Sequence, residues 1–225
     1  MTPARTASLW SLAFGLLMFV PITVLGAAIG WPASLDLPAA QLFPMIAKQP
    51  DAVRFGYLVY LLYSVIFFPT IVALGQALGE NATTRIAGQF ALLSTLARSI
   101  GILRWLTAMP ALSGLAAGSD PQVTQVIYSA INSYGGGIGE LLGVSLFAVI
   151  AIALISKRIL ETTVLPSWLG VFGLIAAAAL VLPWLEVFGV NLGPVISVSV
   201  AVVQLWFLAL GVSLLIGSQR RLVSA

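Results

Sequence analysis

Three ionisable residues fall inside otherwise apolar stretches of this chain: Arg98, Arg104 and Glu140. A guanidinium and a carboxylate can form a two-point ion pair, and a guanidinium left out of such a pair is a ready donor fork for carboxylate or phosphate. Charge in a hydrocarbon setting is costly unless paired or wetted, so these three are the first candidates for function. Polar and aromatic residues gather near them: Tyr57, Tyr60 and Tyr63, Trp105, then Asn132 and Tyr134. The candidate ligand-binding set is therefore Arg98, Arg104, Trp105, Asn132, Tyr134, Glu140, Tyr57 and Tyr60. In it Arg104 or Arg98 pairs with Glu140, and Trp105 and Tyr134 line the apolar part. If the protein is an enzyme, Glu140 is its general acid or base.

Other chemistry is ruled out by what the chain lacks. It has no histidine and no cysteine, which removes disulfides, thiol nucleophiles, the usual haem and zinc ligands and any Ser-His-Asp triad. No metal site and no cofactor are expected. A net charge of +3 could suggest nucleic acid, but the ten basic residues are scattered, so nucleic acid is not an expected partner.

These residues must be positioned by helices that cross a membrane. The chain has 225 residues, 60% hydrophobic and 8% charged, against about 25% charged in a soluble domain. An apolar run of about 20 residues crosses the ~30 Å hydrocarbon layer as a helix. Six such runs occur, at about 9–30, 55–78, 86–109, 134–155, 164–187 and 194–216. The expected fold is all-α: one domain, a polytopic bundle of six transmembrane helices with two interfacial segments in the long connections. Those segments are the amphipathic stretches Ala39–Lys48 and Gln122–Asn132. Arg5, the apolar run from Leu9 and Gly26-Ala27-Ala28 look like a signal peptide, but the run is long enough to be an uncleaved first span.

Orientation follows the placement of Lys and Arg. Arg5, Arg85, Lys157, Arg158, Arg220 and Arg221 share one side, while only Lys48 and Arg54 lie on the other. Six against two puts both termini in the cytoplasm and the long connections outside. On a helical wheel of span 3, Ser94, Ala97, Arg98, Gly101, Arg104, Trp105 and Ala108 share the interior face. Leu92, Leu93, Leu96, Ile100, Leu103 and Leu106 share the lipid face. At about 1.5 Å per residue, Glu140 lies between Arg98 and Arg104 in depth. No second carboxylate is evident beside it, although Glu186 and Asn191 flank the ends of spans 5 and 6.

Gly135, Gly139 and Gly143 recur every fourth residue, the small-residue stripe of closely packed membrane helices. Asn132, Gly136 and Glu140 repeat that spacing on the next face, leaving a glycine-lined gap above Glu140. Pro21, Pro69 and Pro183 fall within or near span ends, where kinks are tolerated. Asn81-Ala82-Thr83 fits a glycosylation sequon but falls on the cytoplasmic side of this topology.

The run Gly101-Ile102-Leu103-Arg104-Trp105, then Ile131-Asn132-Ser133-Tyr134 and Gly139-Glu140-Leu141-Leu142-Gly143, resembles a bacterial multi-pass membrane family of unknown function (DUF4386-like). The likeness extends more loosely through Pro166-Ser167-Trp168-Leu169-Gly170. It implies a six-helix bacterial inner-membrane protein with Arg104 and Glu140 as signature polar positions. That family is associated with a histidine after Glu140, where this chain has Leu141. Three functions stay open: binding or transport-like handling of a small amphiphilic or anionic molecule in an outward pocket, an accessory subunit of a larger membrane complex, and an intramembrane enzyme acting on a lipid or isoprenoid. Membrane lipids and a second copy or larger complex are the expected partners. Six spans without an internal repeat make half of an alternating-access transporter at most.

Overall fold

The computed structural model describes residues 1–190 and 194–223. Asn191 lies outside the described residues. Among the described residues ten α-helices follow one another: α1 (Pro3–Leu17), α2 (Phe19–Ile29), α3 (Ala39–Lys48), α4 (Pro50–Ala77), α5 (Ala82–Leu106), α6 (Ala108–Leu115), α7 (Pro121–Gly136), α8 (Val149–Leu160), α9 (Ser167–Ala179) and α10 (Pro194–Val223). A π-helical segment, Gly137–Ala148, joins α7 to α8, and a 3-10 segment, Leu182–Phe188, follows α9.

Proline decides where several helices stop. It lacks the N–H that would reach the carbonyl four residues back, and its ring crowds that carbonyl. Four residues before Pro21, Pro110 and Pro183 stand Leu17, Leu106 and Ala179, the last residues of α1, α5 and α9. α1–α2, α5–α6 and α9 with its 3-10 extension are thus interrupted spans. Asn81 opens α5 with a reciprocal cap: its Oδ1 accepts from the Thr84 N–H at 3.0 Å, and its own N–H donates to Thr84 Oγ1 at 2.9 Å. The sequon at Asn81 is a helix start.

Among the described residues, six helical segments are long and apolar enough to cross a membrane: Pro3–Ile29, Pro50–Ala77, Ala82–Leu115, Pro121–Leu160, Ser167–Phe188 and Val198–Gly217. The protein is a multi-pass membrane bundle, with both termini on one face and, on the other, the connection between spans 1 and 2 and a second one between spans 3 and 4 that the structure shortens to residues 116–120. Most of the spans extend past the sequence boundaries, and the fourth by the most. Gln122–Asn132 is no separate interfacial segment; it is the first half of the fourth span. The reason is tertiary. Gln125, Tyr128 and Asn132 share one face of α7 and fasten the first connection, bonding to Ala39 N–H at 2.8 Å, Leu37 O at 3.1 Å and Leu35 O at 3.2 Å. α3 does form over Ala39–Lys48, but its apolar face of Ala39, Leu42, Phe43 and Ile46 is buried within the protein.

Span 3 presents the face its periodicity requires. Ser94, Ala97, Arg98, Gly101, Arg104 and Trp105 are buried, and Leu92, Leu93, Leu96, Ile100 and Leu103 are exposed. It meets span 4 along the glycine stripe: a Cβ built on Gly101 would lie 2.7 Å from Gly139 Cα, and one on Gly143 would lie 2.7 Å from Arg98 Cγ. The contact is backbone on backbone, and Ser94 Oγ adds a 2.7 Å bond to Gly143 O.

Two apolar cores form. One, nearer the termini, holds Phe14, Tyr63, Phe67, Trp206 and Phe207. The other, under the connections, holds Leu25, Phe43, Tyr57, Trp105 and Tyr128. Trp31 and Tyr60 pack against both.

Candidate functional site

A cavity of about 720 Å³ opens between the two cores, with walls from all six spans and the first connection. Its size falls in the usual range for small-molecule sites, about 300–1,000 Å³. Arg98, Arg104, Trp105, Asn132, Glu140, Tyr57 and Tyr60 all line it. Tyr134 does not; its side chain is 75% exposed on the outer surface of the bundle. It follows Asn132 by two positions, about 200° around a helix, so the two cannot face one cavity.

The two arginines sit in contrasting environments. Arg104 is held by protein on every arm: Nε donates to Asn132 Oδ1 at 3.2 Å, Nη1 to Gly101 O at 2.8 Å, and Nη2 to Glu140 Oε1 at 3.4 Å. Arg104, rather than Arg98, is therefore the partner of Glu140. The glycine-lined gap accommodates this pair, since a Cβ on Gly136 would sit 3.6 Å from Nη2 and 3.7 Å from Oε1. The Arg104 guanidinium lies 5.5 Å from the Trp105 ring, which stacks on Tyr57 at 5.0 Å. Asn132 spends its other end on Leu35 O, so Arg104, Asn132, Glu140 and the first connection form one network.

Arg98 is 6% exposed and lines the cavity. Among the described residues it has no carboxylate partner, and its Nε has no hydrogen-bond partner. Its neighbours are aromatic: its guanidinium lies 4.8 Å from the Tyr63 ring and 5.6 Å from Phe67, and it also has a side-chain hydrogen bond with Tyr63. Ring faces supply about 0.5–2 kcal/mol each, but they neutralise no charge and satisfy few of the five N–H donors. Tyr57 Oη and Ser145 Oγ, on the same walls, are also buried without a partner.

Three carboxylates reach the cavity. Glu140 is 58% exposed into it despite its ion pair, and Asp36 and Glu186 line it as well. The sequence placed neither of the last two in a common cavity with Glu140. Asp36 comes from the first connection and Glu186 from the end of span 5, so neither is near Glu140 in sequence. The three are not clustered closely enough to hold a metal ion among the described residues. Leu141 lines the cavity where the family resemblance would put an imidazole.

The π-helical segment carries Glu140 and Ser145. Two of its carbonyls accept bonds from neighbouring spans: Ser94 Oγ donates to Gly143 O, and Trp184 Nε1 donates to Ser145 O at 3.2 Å. Sequence reasoning missed this segment; its glycines pointed to packing alone.

A family model described as Domain of unknown function (DUF4386) matches residues 9–217. No curated protein and no solved structure matches the chain.

Proposed function

The chain belongs to the DUF4386 family, and we propose that it binds a small molecule with an anionic group and an apolar body in the cavity between its two cores. The observation that carries this reading is Arg98: a charged side chain, buried, facing the cavity, without a counter-ion among the described residues. An arginine inside a membrane costs about 2.5–3.5 kcal/mol on insertion scales and more on an isolated helix. A ligand carboxylate or phosphate would meet that cost with charge-assisted bonds. The aromatic and aliphatic walls around Tyr60, Trp31 and Leu180 suit the apolar body.

We further propose the bacterial inner membrane with cytoplasmic termini, on the six-to-two distribution of Lys and Arg, so that the cavity opens outward. A second reading, an accessory subunit of a larger complex, draws on the Arg104 network, whose donors are taken by the protein itself. The test is mass spectrometry of the protein purified in mild detergent. Wild type is expected to carry a bound anionic molecule that Arg98→Gln loses; equal retention by both overturns the binding reading.

A further inference from the structure

The cavity walls carry more negative charge than positive. Among the described residues they hold three carboxylates, of Asp36, Glu140 and Glu186, against two guanidiniums, of Arg98 and Arg104. One guanidinium is already committed: Arg104 spends its arms on protein groups, Glu140 Oε1 among them. Neither Asp36 nor Glu186 forms a salt bridge among the described residues. Both stand near enough to Glu140 to act on it through space. The charges are also ordered along the bundle. A Cβ on Gly143 would lie 2.7 Å from Arg98 Cγ, and Gly143 is about one helical turn past Glu140 toward the termini. The Arg98 guanidinium rests on Tyr63 and Phe67, of the core nearer the termini. The Arg104–Glu140 pair sits by Trp105, of the core under the connections. Asp36 and Glu186 enter from the connection side, on the first connection and at the end of span 5. The cavity thus has a positive floor and a negative upper wall.

Resting on the binding reading above, we infer that the ligand is a zwitterion: its anionic group meets Arg98, and an ammonium about one helical turn away lies among Glu140, Asp36 and Glu186. A bare anion would gain one free guanidinium and face three carboxylates, of which Arg104 offsets one; that balance is unfavourable in a cleft where field lines are focused. An ammonium on the same molecule turns those carboxylates from repulsion to attraction. The same carboxylates then reject anions that lack it. The lining agrees: Trp31, Tyr57 and Tyr60 share the cavity with the carboxylates, and aromatic rings attract ammonium groups. One turn is about 5 Å, a distance that a spacer of a few atoms covers in an aminoalkyl phosphate or a terminal amino acid. The phosphate form exists both as a dissolved molecule and as a lipid headgroup, and the chemistry read by the cavity is common to the two.

Matched probes that differ only in the amine test this on the full chain. Phosphoethanolamine is set against ethyl phosphate and γ-aminobutyrate against butyrate, by calorimetry in nanodiscs. Dioleoyl-phosphatidylethanolamine is set against dioleoyl-phosphatidylethanol, by native mass spectrometry. In at least one pair the amine-bearing member is expected to bind about ten-fold more tightly or better. A preference in a soluble pair assigns a dissolved ligand, and one confined to the lipid pair assigns a headgroup. Asp36→Asn with Glu186→Gln leaves the Arg104 network intact and should remove most of the preference by weakening the zwitterion. Arg98→Gln should lose both members of the pair. Amine-less probes that bind as tightly as their partners, and are lost in Arg98→Gln, overturn the zwitterion and keep the binding reading. Sodium that raises an amine-less probe to the level of its partner overturns it too, because a free cation then fills the place of the amine. A preference unchanged both in the Asp36→Asn, Glu186→Gln variant and in Glu140→Gln overturns the placing of the ammonium. If no probe binds and Arg98→Gln changes nothing, the binding reading fails and the zwitterion with it.

Discussion

The two arginines of span 3 should respond to replacement in opposite senses. Arg104 satisfies Asn132, Gly101 O and Glu140, so Arg104→Met strands three acceptors. A fully buried pair broken on one side costs about 3–5 kcal/mol. Glu140 is 58% exposed into the cavity, so water can reach it and about 1–3 kcal/mol is expected, the cost of unsatisfied buried partners. Thermal unfolding in detergent should show the drop, and Arg104→Leu with Glu140→Leu should recover most of it. Arg98→Met removes a charge that has no counter-ion among the described residues. In protein stripped of bound small molecules, that variant should be as stable as wild type or more so. A large loss of stability from Arg98→Met in stripped protein would mean that Arg98 holds the bundle and leaves nothing for a ligand.

The seam between spans 3 and 4 depends on glycine at some positions and tolerates change at others. A methyl on Gly101 would press to 2.7 Å from Gly139 Cα, and one on Gly139 to 3.2 Å from Gly101 Cα. Backbone on both sides cannot swing away as a side chain could. Gly139→Leu is therefore expected to cost at least the about 1–3 kcal/mol of ordinary overpacking, and Gly101→Ala to be destabilising despite its small size. Gly137 is the control. It is helical, with φ −55° and ψ −43°, and a Cβ there meets nothing within 4 Å. Gly137→Ala should gain about 0.5–1 kcal/mol from lower backbone entropy in the unfolded chain. Melting curves of the three variants should fall in that order about wild type.

At the scale of the whole bundle, Arg5, Arg85, Lys157 and Arg158 share the face of the termini, and Arg158 also donates to Leu78 O and Gly79 O at 3.2 Å each, the open carbonyls at the end of α4. Reporter fusions should read cytoplasmic after the last residue and external within the 116–120 connection. An external reading at the C-terminus would turn the bundle over and direct the cavity to the cytoplasm. The folded half under the connections is held by Gln125, Tyr128 and Asn132 on α7. Those bonds set the height of Asp36 above the cavity.

Much of this architecture was legible in the residues. Membrane crossing depends on length and hydropathy, and which face of span 3 turns inward depends on its own 3.6-residue period; both are local quantities. The glycine stripe announced a close seam for the same reason. Pairing was not local. A wheel gives direction about one axis, but it gives neither the register between two helices nor how far a side chain reaches, so the choice of Arg104 over Arg98 for Glu140 came only with packing. The π-helical turns of Gly137–Ala148 altered that register within span 4. Asp36 and Glu186 joined the cavity because distant connections fold over it, and Tyr134 left it because span 4 packs by the Asn132 face. That Arg98, on which the functional reading rests, has no counter-ion among the described residues is likewise a matter of tertiary structure: an arginine shows itself in sequence, and its lack of a partner there only once those neighbours are placed.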